Sequence, residues 1–102
     1  MTFSEFETRL NYYFNSTSER DTYALESILD GKVCPTMSTN AKKELYEILN
    51  SHYSEIYTAY TLTKMLKDYD PDGFADVCCE IPEEEQIVIN LAYVIFFDDA
   101  IF

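Results

Sequence analysis

The chain has 102 residues, 47% of them apolar, and sets 19 carboxylates against seven lysines and arginines for a formal charge of −12. That length supplies one hydrophobic core and no second, so a single domain over residues 1–102 is expected, and the apolar content, with nine tyrosines and seven phenylalanines, excludes a disordered chain. The charge excludes a basic nucleic-acid binder, which needs clustered Lys and Arg to neutralise phosphates, and it disfavours anionic membrane surfaces.

Helical signals run from the start. Thr2-x-x-Glu5 and Ser4-x-x-Glu7 both fit a capping box, and Phe3, Phe6, Leu10 and Tyr13 follow at helical spacing until Asn15-Ser16-Thr17 ends the run. Met1 to Glu5 has no basic region followed by an apolar stretch, so no signal peptide is expected. Ser18-x-x-Asp21 opens a second helix that turns Ala24, Leu25, Ile28 and Leu29 to one side, with Gly31 as its C-cap. Lys32 to Ser38, holding Pro35, is a connecting loop.

Thr39 or Asn40 caps a third helix, whose apolar stripe runs Leu45, Ile48, Leu49, His52, Tyr53, Ile56, Ala59 and Tyr60 and extends through Leu62 and Leu66 to about Tyr69. Asn50-Ser51 and the threonines at 58, 61 and 63 are weak helix formers, so a break near residue 51 is expected. The only histidine, His52, sits within this stripe and is expected at a helix interface rather than in catalysis. Asp70-Pro71-Asp72-Gly73 has the residue order of a type I turn, and Phe74 to Ile81 is a short amphipathic piece.

The segment 86–97 is contested. Pro82-Glu83-Glu84-Glu85 suits a helix start, with Pro in the first position and carboxylates at the positive end of the dipole. Ile87, Val88, Ile89, Val94 and Ile95 are β-branched and suit a strand. Gln86, Asn90 and Tyr93 share one helical face, and a strand has no obvious partner elsewhere, so a buried helix is expected. The fold class that follows is an all-α bundle of about four to five helices, with α+β as the alternative should 86–97 form a strand.

Chemistry-bearing patterns are few. Cys34, Cys78 and Cys79 are odd in number with no C-x-x-C spacing; they read as buried reduced thiols, and with the missing signal peptide they point to the cytoplasm. Asp68-Tyr69-Asp70-Pro71-Asp72-Gly73 follows the first half of an EF-hand loop, but the bidentate Glu of position 12 is replaced by Cys79, with Glu80 one place late. A calcium-binding module is thus a third functional reading. With two glycines and one histidine, neither a phosphate cradle nor a nucleophile–base pair is in evidence, and no enzyme activity, catalytic residue, metal or cofactor is expected.

What stands out is charge asymmetry. Ten carboxylates follow Lys67 with no base among them, whereas residues 1–67 hold nine acids against seven bases. An uncompensated acidic segment steers and captures cationic partners, and tyrosines favour interfaces. The candidate partner-binding residues are therefore Asp68, Tyr69, Asp70, Asp72, Asp76, Glu80, Glu83, Glu84, Glu85 and Tyr57.

In size, charge and composition over its whole length the chain resembles the immunity proteins of bacterial contact-dependent growth inhibition and related polymorphic-toxin systems. The resemblance rests on no shared motif, so no family residues are carried over. It implies binding to a cationic toxin domain, frequently a nuclease, by blocking its active site or substrate path. The alternative is a phage anti-restriction or anti-CRISPR protein that imitates DNA, although acids confined to one third of the chain suit a local contact better. Neither reading involves direct contact with nucleic acid or membrane.

Overall fold

A computed structural model describes residues 1–30 and 33–102, so the expected C-cap Gly31 and the loop residue Lys32 lie outside the described residues. Six helices follow one another: α1 (Phe3–Ser16), α2 (Glu19–Ile28), α3 (Thr39–Ser51), α4 (Tyr53–Tyr69), α5 (Pro71–Glu80) and α6 (Glu83–Phe97). There is no strand among the described residues, and the all-α expectation is met with six helices instead of four to five. The difference arises at two places. The long stripe breaks at His52, and the turn at 70–73 is wound into the first turn of α5.

Local chemistry sets the ends. Thr2 caps α1 by accepting from the Glu5 amide at 3.2 Å, and Ser18 caps α2 through the Asp21 amide at 3.2 Å. α3 is capped by Ser38, one residue before the expected Thr39, through the Ala41 amide. Pro82 occupies the cap of α6 instead of its first position, followed by three carboxylates in the first turn.

α6 is the axis of the molecule. Leu91 through Phe96 are consecutively buried, so this helix is covered on all sides, with α1, α2 and α4 packed around it. The core combines Phe6, Leu10 and Tyr13 of α1, Leu25 of α2, Val33, and Leu91, Val94 and Ile95 of α6. α3 lies against α1, where Phe3, Phe6 and Tyr46 form an aromatic cluster and the Tyr46 hydroxyl donates to the Met1 carbonyl at 2.6 Å. α3, α4 and α5 have no buried residue, and α5 packs on α4 as the outermost layer. The molecule is accordingly elongated, 41 × 28 × 20 Å.

α4 meets α6 through rings. Tyr60 stacks on Phe97 at 4.3 Å between centroids and meets Tyr93 edge-on, while Tyr53 packs edge-on against Phe96. Asp98, at φ 56°, ends α6 in the left-handed conformation that a short polar side chain tolerates, and residues 99–102 return along the helix. Asn90 holds them there: its Oδ1 accepts from the Ile101 and Phe102 amides at 3.1 Å each, and its Nδ2 donates to the Phe102 carbonyl at 3.0 Å.

Several residues expected in the interior are exposed, among them Ile48, His52, Leu62 and Cys79. His52 is the hinge between α3 and α4, and its Nδ1 lies 3.4 Å from Glu55 Oε2 in solvent, because the break there throws the stripe out of phase. The thiols are free but not deeply buried: Cys34 and Cys78 are half-buried and Cys79 is exposed, one position round α5 from the inward side. Among the described residues, no helix is long and apolar enough to cross a membrane.

Candidate functional site

The acidic segment begins at the corner where α4 ends and α5 starts. Tyr69, in the last turn of α4, is 83% exposed, and Asp68 beside it is exposed too. Asp70 is committed locally: its Oδ1 accepts from the Gly73 amide at 3.1 Å and caps α5, with Pro71 in the first turn. An EF-hand-type loop is not formed, since positions that would wrap a cation run instead through helix α5, and no cluster of three or more candidate ligands occurs among the described residues.

α5 is amphipathic in the sense its sequence implies. Phe74, Val77 and Cys78 face inward, half-buried, and Phe74 stacks with Phe102 at 5.8 Å. Asp72, Asp76 and Glu80 recur every fourth residue on the opposite, exposed side. Each step advances about 6 Å along the helix, so the three charges form one row. Asp68, Asp72, Asp76 and Glu80 have no ion-pair partner among the described residues.

The rest of the expected site lies elsewhere. Glu83 pairs with Arg20 of α2 at 2.8 Å, so the acidic third is not free of basic neighbours in space as it is in sequence. Asp99 likewise meets Lys64 at 3.6 Å and accepts from the Tyr60 hydroxyl at 3.0 Å. The Tyr60 hydroxyl and then Asp99 hold the exposed Lys64 ammonium above its ordinary value. Glu84 and Glu85 border a hollow of about 450 Å³ between α2 and α6, lined also by Ile28, Leu29, Val88 and Ile89. Tyr57, 52% exposed, leans on Tyr53 and Phe97 and belongs to the aromatic seam of α4. It is about 18 Å along α4 from Tyr69, twelve residues at 1.5 Å each, so the two do not form one contact.

A second hollow of about 290 Å³ is lined by Met1, Glu5, Arg9, Asn50, Tyr53 and Phe96. Its arginine is already engaged, donating to the Ile95 and Phe96 carbonyls at 3.0 and 3.2 Å and satisfying the end of α6.

Leu62, expected in the interior, is 61% exposed, and Met65 is 51% exposed. Leu62 lies six positions past Ile56, about 120° round the helix from it, and once α4 is rotated to pack through Ile56 and Tyr60 the leucine faces out. The spacing 62, 65, 69 was the available signal: it is a second apolar phase on one helix. In comparisons with known proteins, no family model, no curated protein and no solved structure matches the chain.

Proposed function

We propose that the chain is a non-enzymatic binding protein that captures a cationic protein domain, acting as an immunity or inhibitor protein against a toxin, with a nuclease as the fitting target. The observation that carries this reading is the row Asp72, Asp76 and Glu80 on α5, which with Asp68 and the exposed ring of Tyr69 at the end of α4 is exposed and without ion-pair partners among the described residues. Lysines and arginines that bind phosphate in a nuclease would meet these carboxylates in charge-assisted hydrogen bonds, and the ring would supply rigid contact area.

The row's charge density favours a local contact over imitation of DNA. It carries one carboxylate per about 6 Å of helix, against one phosphate per about 3.4 Å of each strand in a duplex. A single α5 therefore offers roughly half the linear charge of one strand.

The test is affinity capture from the source organism with the native chain and with a triple variant, Asp72→Lys, Asp76→Lys and Glu80→Lys. A basic protein retained by the first and lost from the second is expected, and its nuclease or other toxic activity should fall on stoichiometric addition of the native chain. Rim charges are each worth less than about 1 kcal/mol, but a desolvated pair is worth about 2–5 kcal/mol when one side is removed, so one of the three positions should dominate. Equal retention by both proteins removes the acidic row from the site.

A further inference from the structure

We infer that the outer face of α4 is a docking surface for a basic amphipathic helix, one whose apolar anchors are bordered by lysine or arginine. The inference rests on the reading that the chain binds a cationic protein, and it adds where the apolar part of that contact lies. Leu62, Met65 and Tyr69 fall at i, i+3 and i+7, so their side chains align along one side of α4, opposite the Ile56 and Tyr60 side that packs inward. Exposed apolar residues scattered singly are ordinary, but three in register on one helix form a continuous patch, the kind that marks an interaction site. Side-by-side helix packing uses this i, i+3, i+7 pattern.

Charge decides what covers the patch. Exposed carboxylates stand at the two ends of the stripe: Glu55, two turns before Leu62 and 3.4 Å from His52 Nδ1, and Asp68, beside Tyr69. The two lysines of α4 do not reach it. Lys64 is held by Asp99 and lies over the Tyr60 ring at 5.6 Å; Lys67 donates to the Ile101 carbonyl at 3.0 Å and lies over Phe74. The ends of the face are therefore acidic, the Asp68 end continuing into the carboxylates of α5, and they complement cations that flank an apolar stripe. A second copy would set carboxylate against carboxylate under a charge of −12 on each chain, and an anionic lipid surface would be repelled in the same way.

The experiment titrates the full chain with an 18-residue helical peptide carrying a leucine stripe bordered by lysines. Two control peptides accompany it, one with the same stripe bordered by glutamates and one with lysines but serine in place of leucine. Fluorescence anisotropy should register binding of the lysine-bordered leucine peptide alone. The double variant Leu62→Ser, Met65→Ser should weaken it tenfold or more, Asp68→Lys about fivefold, and Tyr23→Ser not at all. Because the substituted side chains are exposed, circular dichroism should be unchanged. Binding unaffected by the double variant, or equal binding of the glutamate-bordered peptide, overturns the inference. So does a Leu62-dependent dimer in sedimentation, which would make the face a self-interface, or Leu62-dependent binding to phosphatidylcholine vesicles. Should the α5 triple variant lose a captured basic protein that the α4 double variant still holds with full affinity, this inference falls while the proposed function stands. Should the peptide bind through α4 although no cationic protein is captured, the functional reading falls and the docking face remains.

Discussion

Asn90 interrupts the apolar run of α6, and in the folded chain that interruption has a purpose. Its amide satisfies three backbone groups of residues 101–102 that would otherwise lie half-buried without partners, and so seats Phe102 between Phe74 and Tyr93. Asn90→Leu is nearly isosteric but removes every one of those bonds, and each group left unsatisfied in a buried setting costs about 1–3 kcal/mol. Partial exposure keeps the total near the lower end. We expect a loss of about 1–3 kcal/mol, seen as a fall of about 4–8 °C in Tm per kcal/mol for a chain of this size. An unchanged Tm would mean that the packing of Ile101 holds the segment by itself. Tyr13 makes a different prediction. Burial raises its phenol above the ordinary 10.0, the Asp21 carboxylate adds to that, and Thr17 opposes it by hydrogen bonding. The unfolded chain then ionises first as pH rises, so stability is fully present below about pH 10 and is lost as pH climbs from there through the native value. Urea melts between pH 8 and 11 should show a steeper alkaline decline for the native chain than for Tyr13→Phe, and parallel curves would refute the assignment.

Between α4 and α5 the chain turns on a single cap, and the cap and its neighbour are coupled. The Asp70 carboxylate binds the Gly73 amide so closely that a Cβ at Gly73 would lie 2.9 Å from Asp70 Cγ and nearer still to its Oδ2. Glycine inside a helix costs about 1 kcal/mol relative to alanine, and an N-cap is worth about the same. Gly73→Ala alone therefore gains helix propensity and loses the cap, with little net change. Asp70→Ala alone costs about 1 kcal/mol. With Asp70 already alanine, Gly73→Ala should stabilise by about 0.5–1 kcal/mol, so a double-mutant cycle from thermal melts should show coupling of that size. Additive effects would mean that the carboxylate moves aside freely. α6 shows an element's identity decided by burial. Its β-branched residues each cost a few tenths of a kcal/mol in helix propensity, whereas fully burying a side chain such as Ile95 contributes about 1.5–3 kcal/mol.

At the scale of the whole molecule, the charge proposed to recruit a cationic partner also works against the fold. Exposed carboxylates on α5 and at the start of α6 repel one another, and among the described residues only Arg20, on Glu83, relieves them as an ion pair, while Lys64 pairs with Asp99 beyond the end of α6. Raising salt from 0.05 to 0.5 M shortens the screening length from more than about 10 Å to less than about 8 Å and should raise the Tm of the free chain by a few degrees. The same salt should slow association with a cationic partner tenfold or more while changing dissociation little. Opposite signs in the two experiments are the signature expected. A Tm that falls with salt would show that attractive pairs outweigh repulsion in the native state.

Much of this was legible in the chain because it is local. The caps at Thr2 and Ser18, the break near Ser51 and the end of α4 before Pro71 depend on neighbours within a turn or two, whereas α3 is capped by Ser38 instead of Thr39 or Asn40, and Asp72 and Gly73 join α5 instead of a separate turn. The all-α class followed from the same signals. What depended on distant residues was not legible. The buried helix expected over 86–97 formed, although the burial that favours it comes from α1, α2 and α4 wrapping the segment, and the role of Asn90 in holding residues 101–102 had no local signal. Arg20 reached Glu83 across 63 positions, so a linear count of charges overstated how exposed the acidic third is. The outward stripe of Leu62, Met65 and Tyr69 was set by the rotation of α4 about its own axis, which periodicity leaves free and which packing against the rings of α6 selects. Sequence determined which helices form and which faces are charged. Only the tertiary structure decided which apolar faces remain uncovered, because burial is a property of the pair of surfaces that meet.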